Sequence, residues 1–104
     1  MTESIDCQRS VTVGSRFGLH MRIAQQVVQA AQQFHSTLTI RRDGILADAR
    51  SILSILLLGA VQGVVLDLHA SGPDAEEAIT EIAHLIDASS DDLGLGPIRP
   101  KQSV

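Results

Sequence analysis

The side chains in this 104-residue chain whose types and spacing best suit covalent chemistry are His20 and Arg22. They follow an alternating strand pattern and Gly18, and they stand at the start of a helical pattern. The first turn of a helix leaves backbone N–H groups unpaired and carries partial positive charge, so it attracts anions. The same charge disfavours a protonated imidazole, and we therefore expect His20 to be neutral with a nucleophilic ring nitrogen.

A phosphoryl group accepted by His20 would meet those N–H groups and the forked guanidinium of Arg22. Each helix-terminus contribution is only about 0.3–1 kcal/mol, which suits a carrier that must release its cargo. The residue types do not decide which ring nitrogen would react. They also leave open a structural role in which His20 merely caps the helix, because one His beside one Arg is a weak signal.

A second candidate is Ser51, which precedes the apolar run 52–58 and the closing Gly59. Ser before such a run and Gly after it are start and stop signals for a helix of about two turns. The pattern therefore predicts Ser51 as a helix N-cap.

The other polar candidates are weaker. No two of the four histidines are spaced i, i+4, and the single Cys7 cannot form an internal disulfide. We therefore expect no metal and no cofactor. Neither a phosphate-cradling Gly loop nor a paired-carboxylate site accompanies His20, so the chain is not expected to act alone as an enzyme.

The elements that must position these residues alternate between strand and helix periodicity. The order is strand, helix, strand, strand, short helix, strand, helix, with strands over residues 9–13, 37–41, 45–49 and 64–70 and helical patterns over 19–34, 52–58 and from 74 onward. Asp43 and Gly44 supply the turn of the middle hairpin. Asp74 and Glu77 have the spacing of a capping box.

This order is typical of split βαβ folds. The helical apolar stripes need one shared partner, which predicts an α/β (α+β) open-faced sandwich with a four-stranded antiparallel sheet and three helices on one face. The open face would present Thr37, Thr39, Asp67 and His69 to water. We predict one domain over residues 9–88, a loose segment over 1–8 and a flexible tail over 89–104.

Charge and hydropathy exclude several classes of partner. The net charge is −4, but residues 1–52 carry six Arg against four acidic residues, whereas residues 53–104 carry two basic against eight acidic residues. With few Lys and no Trp or Tyr, nucleic-acid binding is not expected. No apolar run approaches the ~20 residues of a membrane span, and no leader pattern opens the chain, so we expect a cytoplasmic protein without membrane insertion.

Several separated motifs resemble those of the HPr family, the histidine-containing phosphocarriers of the bacterial phosphoenolpyruvate-dependent phosphotransferase system. The motifs are Gly18-Leu19-His20-x-Arg22, Arg50-Ser51-Ile52-Leu53, Leu58-Gly59 with Gly63, and Ala70-Ser71-Gly72-Pro73-Asp74-Ala75. They occur in the family's order and cover roughly residues 9–88. The resemblance implies the HPr-like fold with the order βαββαβα.

The resemblance also implies roles. His20 would accept a phosphoryl group from an enzyme I-type phosphodonor protein and pass it to a IIA-type acceptor domain, for sugar uptake or regulation. Arg22 would stabilise the phosphate, and Ser51 would be the regulatory serine that an ATP-dependent HPr kinase/phosphorylase modifies in some bacteria. The residues implied in partner binding are Phe17, Leu19, Met21, Arg50, Leu53 and Leu56.

Two positions depart from the family pattern. Ile23 stands where a Pro usually follows the Arg, and its presence predicts a looser first helical turn. Phe17 stands where a small polar residue is usual, and it either shields the imidazole or contacts a partner. The alternative functions are an HPr-like regulatory binding module acting through Ser51 and the Leu53/Leu56 surface, with His20 secondary, and an unrelated small phosphatase.

Overall fold

The computed structural model describes residues 5–88 of the chain. Strands and helices follow one another as β1 (Ile5–Thr12), α1 (Met21–Ala31), β2 (Thr37–Arg42), β3 (Ile45–Asp48), α2 (Ile52–Leu57), β4 (Val65–Gly72) and α3 (Ala75–Ala88). This is the βαββαβα order that the sequence predicts, and the fold class is confirmed.

The strands form one antiparallel sheet in the spatial order β1-β4-β2-β3. β4 lies between β1 and β2, and its pairing runs from Ile5↔Gly72 to Thr12↔Val65 on one side and from Thr37↔Ser71 to Arg41↔Asp67 on the other. Side chains alternate between the two faces of a strand. This register therefore sends Leu66, Leu68 and Ala70 of β4 to the same, buried face.

An aliphatic core fills the space between the sheet and the helices. α1 contributes its buried face at helical spacing, namely Ile23, Ala24, Val27, Val28 and Ala31. The same core includes Leu66 and Leu68 from β4 and Ile82 and Ile86 from α3. Fully burying an Ile, Val or Leu side chain is worth about 1.5–3 kcal/mol, so packing holds α1 against the sheet.

The opposite face of the sheet carries polar residues, as predicted. Ser10 donates a hydrogen bond from Oγ to Asp67 Oδ1 at 3.0 Å, and Arg41 Nη2 lies 3.4 Å from Asp67 Oδ2. His69 Nε2 lies 3.6 Å from Asp6 Oδ1. These pairs are largely exposed, so each contributes little to stability.

Three strands extend beyond their predicted ends, and β2 does so by the single residue Arg42. β1 begins at Ile5 rather than at residue 9, because its backbone pairs with β4 although most of its side chains are exposed. β4 continues to Gly72, which adopts φ +150° and lies close to Ser36. A Cβ at position 72 would lie 2.6 Å from the Ser36 Cα. Residues 1–4 and the predicted tail 89–104 lie outside the described residues.

Asp74 directly precedes α3, as predicted, but its carboxylate is engaged by the loop before β2. It accepts a hydrogen bond from Ser36 Oγ at 2.6 Å and from the His35 N–H at 3.0 and 3.1 Å. The Ser36 hydroxyl, and after it the His35 N–H, hold the pKa of Asp74 below its ordinary value. The carboxylate thereby ties α3 to the start of β2.

None of the helices within residues 5–88 has both the length and the apolar character needed to cross a bilayer.

Candidate functional site

The segment between β1 and α1 is a braced turn. The Gly18 N–H donates to Ser15 O at 2.9 Å, and this bond closes a turn with Arg16 and Phe17 at its centre. Gly18 adopts φ +74°, and a Cβ there would lie 2.5 Å from Ala60 O. The Leu19 N–H donates to the same carbonyl at 3.0 Å. Glycine is therefore required at position 18, and the turn is fixed against the segment that follows α2.

His20 is the N-cap of α1. Its backbone is extended, at φ −88° and ψ −179°, and its carbonyl accepts the Ala24 N–H at 2.9 Å. The side chain caps as well, because Nδ1 accepts the Arg22 N–H at 3.3 Å. Since an acceptor nitrogen carries no proton, this geometry directs the Nδ1 lone pair at the positive end of the helix.

The surroundings of His20 favour an incoming anion. The first turn of α1 contains no acidic residue. Arg22 lies two residues after His20, and its cationic side chain is exposed at the surface. Ile23, at the position where the family usually has Pro, is 1% exposed and belongs to the core, so packing anchors the first turn.

Phe17 lies directly against His20. The two rings are edge-to-face, with centroids 6.1 Å apart and planes at 81°. The guanidinium carbon of Arg16 lies 5.6 Å from the centroid of the Phe17 ring, within cation–π distance. The side chain of Phe17 is nevertheless 69% exposed, so the ring borders the imidazole and also faces solvent.

Exposed apolar side chains lie on both α1 and α2 and in the segment after α2. Met21 is the first residue of α1, and Leu53 and Leu57 lie one turn apart on α2. Val61 is also exposed, and its Cα is next to Gly18. Together with Phe17, these residues form what we call the apolar rim: Phe17, Met21, Leu53, Leu57 and Val61.

Two residues predicted to bind partners are placed elsewhere. Leu19 is 6% exposed and belongs to the core, and its predicted contact with a partner stays a prediction. Arg50 is half-buried at the opposite end of α1, where Nη2 donates to Ala31 O, Phe34 O and Ser36 O. A direct partner contact by Arg50 stays a prediction.

Ser51 is the N-cap of α2, as the sequence predicts. Its Oγ accepts the Ser54 N–H at 3.2 Å, and the side chain is half-buried. Leu56, on the same helix, is also half-buried, whereas Leu53 is exposed. Ser51 and Leu53 therefore share the exposed part of α2.

The sequence patterns do not single out Leu57, Val61 or Ser15 as surface or site residues. Leu57 follows Leu53 by four residues, and this helical spacing was a usable signal for a shared exposed face. Ser15 is 2% exposed, and its Oγ accepts the Phe17 N–H at 3.1 Å. No pattern in the chain distinguishes such a buried serine from an ordinary turn residue.

Within residues 5–88, the structure contains no group of three or more His, Cys, Asp or Glu side chains placed to hold a metal ion.

Comparison with known proteins identifies the family to which the chain belongs. The family model described as the PTS HPr component phosphorylation site matches residues 7–88. The chain belongs to this family of phosphocarriers of the phosphotransferase system, whose members carry a phosphoryl group and are not enzymes.

Individual relatives are also phosphocarrier proteins. The chain is 36% identical to the phosphocarrier protein NPr of Proteus mirabilis, covering 81% of this chain and 94% of the relative. It is 35% identical to the phosphocarrier protein HPr of Vibrio cholerae, covering 77% and 94%. The crystal structure of HPr from Bacillus anthracis matches with a TM-score of 0.75 at 34% identity, covering 78% and 96%.

Proposed function

We propose that His20 is the phosphoacceptor of this phosphocarrier, and that Nδ1 is the nitrogen that reacts. The supporting observation is the hydrogen bond from the Arg22 N–H to Nδ1 at 3.3 Å, at the start of α1. It leaves the lone pair on Nδ1 and the ring proton on Nε2. The bond is longer than the usual 2.9–3.0 Å and so costs little to release.

Phosphoryl transfer then follows from the contacts. The Nδ1 lone pair attacks phosphorus as the bond between phosphorus and the donor's leaving atom breaks, and the proton on Nε2 stays on the ring. Once Nδ1 carries phosphorus, the Arg22 N–H can donate to a phosphoryl oxygen instead. The guanidinium of Arg22 and the helix dipole add further stabilisation, and each helix-terminus effect is small, about 0.3–1 kcal/mol. The second transfer reverses the same steps.

We infer that the donor is an enzyme I-type protein and the acceptor a IIA-type domain, acting in the cytoplasm. The apolar rim supports docking of a protein, because an exposed apolar group beside a reactive side chain favours association. Arg16 and Arg22 lie on the same surface and would attract an acidic partner, which speeds encounter more than it tightens binding.

The test is phosphorylation by phosphoenolpyruvate and enzyme I. Wild-type protein is expected to gain one acid-labile, base-stable phosphate, and His20→Ala to gain none. His84→Ala is a matched control, because His84 is exposed on α3. Phosphorus–nitrogen coupling by NMR would identify Nδ1 as the modified atom. A phosphate that persists in His20→Ala, or attachment at Nε2, would contradict the proposal.

The regulatory alternative rests on Ser51. Its side chain is only half-buried beside the exposed Leu53, so a kinase could reach it and a phosphate there would alter the surface of α2. If the chain is mainly a regulatory module, Ser51→Ala will be defective in the cell while His20→Ala functions normally. The opposite pattern would support the relay.

A further inference from the structure

Phe17 is an exposed aromatic residue whose ring has two close neighbours. Its ring contacts the imidazole of His20, with centroids at 6.1 Å, and Arg16 stacks on it at 5.6 Å. Exposed side chains on turns usually have freedom to move, so a ring with a neighbour on each side needs an explanation.

The backbone beneath Phe17 supplies part of that explanation. The turn closed by the Gly18 N–H and Ser15 O is short, and the Phe17 N–H donates to Ser15 Oγ at 3.1 Å. Ser15 is 2% exposed, so this hydroxyl is part of the protein interior. The Phe17 backbone is thereby tied to a buried side chain.

Within residues 5–88, the imidazole of His20 makes one hydrogen bond. The final torsion of a histidine side chain is broad, so rotamer preference alone does not set the direction of Nδ1. The single hydrogen bond from the Arg22 N–H is long, at 3.3 Å. An edge-to-face neighbour restricts the same rotation from the side.

We propose that Phe17 is a positioning residue that holds the imidazole of His20 with Nδ1 towards the start of α1, an inference that rests on the proposed role of His20 as phosphoacceptor. Arg16 holds Phe17 in turn through the cation–π contact. A ring aligned before the donor arrives loses less freedom in the transition state, so alignment speeds the transfer step itself.

The first measurement needs no partner protein. Hydrogen exchange at the Arg22 amide reports the bond to Nδ1, and the Ser54 amide, bonded to Ser51 Oγ at 3.2 Å, is an internal control of the same kind. In Phe17→Ala we expect exchange at Arg22 to rise about two- to tenfold, the range that an aromatic pair contributes, with Ser54 unchanged. Phe17→Tyr keeps the ring and is expected to restore the wild-type rate.

The second measurement is the steady-state rate of phosphorylation by enzyme I. Phe17→Ala should lower kcat by a factor similar to the change in exchange, because the defect lies in alignment. Leu57→Ala removes a side chain of the apolar rim that is 67% exposed, and it should raise KM while leaving exchange at Arg22 unchanged. Folding of each variant is checked by thermal unfolding.

The proposal is overturned if Phe17→Ala changes only KM, which would make Phe17 a partner contact, or if exchange at Arg22 stays at the wild-type rate. Equal effects of Leu57→Ala and Phe17→Ala on that exchange would also overturn it. If the wild-type protein is not phosphorylated on His20, the proposed function fails, and the exchange measurement still decides the role of Phe17.

Discussion

Replacing Arg50 by methionine removes a guanidinium and keeps a long apolar side chain. In the structure, Nη2 of Arg50 donates to the carbonyl oxygens of Ala31 at 3.1 Å, Phe34 at 2.9 Å and Ser36 at 3.0 Å. The last carbonyls of a helix have no partner within it, so Arg50 acts as a side-chain cap for the end of α1. We expect Arg50→Met to leave these carbonyls without that partner and to lower stability.

The size of the loss follows from the contacts. One nitrogen has two hydrogens, so two of the three bonds can be strong at once. A hydrogen bond from a charged group is worth about 1.5–3 kcal/mol, and partial exposure reduces this, so we expect a loss of about 2–4 kcal/mol. For a domain of this size each kcal/mol lowers Tm by about 4–8 °C, which gives a fall of roughly 8–32 °C.

Urea unfolding followed by circular dichroism measures this loss. The matched control is Arg41→Met, because Arg41 pairs only at 3.4 Å with Asp67 and both side chains are more than half exposed. An exposed pair of this kind is worth under about 1 kcal/mol.

A free energy of unfolding for Arg50→Met within about 0.5 kcal/mol of wild type would refute the capping argument. If that result came with a raised KM for a phosphotransferase partner, Arg50 would be the partner contact that the sequence predicts.

Three further changes test other parts of the structure. Gly18→Ala forces φ +74° on alanine and places a Cβ 2.5 Å from Ala60 O, so it should cost about 2 kcal/mol or more in thermal unfolding. Ser51→Ala removes the α2 cap and should cost about 1 kcal/mol, whereas Ser51→Asp, also a good cap, should cost little. Asp74→Asn should be less stable than wild type at neutral pH, because the hydrogen bond from Ser36 favours the ionised carboxylate.

The pH dependence of the Asp74→Asn effect has a definite sign. The pKa of Asp74 is lowered in the folded state, so its stabilisation is present above the pKa of the unfolded chain, near 3.9. It is lost as the pH falls through the folded value, and the two proteins should converge there. A difference in stability between the two proteins that grows on acidification would contradict this account.

Gly44→Ala is the control for Gly18→Ala, because nothing lies within 4 Å of the position that a Cβ would take at residue 44.

The sequence was sufficient for the fold because its apolar periodicity matches what the core buries. The pattern over α1 identified the buried face correctly, and the Ser51 and Gly59 signals placed α2 correctly. These features are local, so neighbouring residues determine them.

The parts that the sequence missed depend on contacts between distant residues. The start of β1 at Ile5 is set by pairing with Gly72, and its largely exposed side chains leave no alternation to detect. Leu19 lies on the apolar stripe of α1 and is buried, whereas its contact with a partner was expected from the resemblance alone. The contacts of Arg50 with the end of α1 likewise have no local signature.

The pairing of β1 with β4 also governs when the chain can complete its fold. Thr12 pairs with Val65 and Ile5 with Gly72, so the first strand to leave the ribosome must wait for nearly the whole domain. Contacts between residues so distant in sequence slow folding, and an unpaired strand is a site of aggregation meanwhile. The sequence of β1, IDCQRSVT, is mostly polar. A strand of this composition can remain unpaired in water during synthesis with little tendency to associate with other chains.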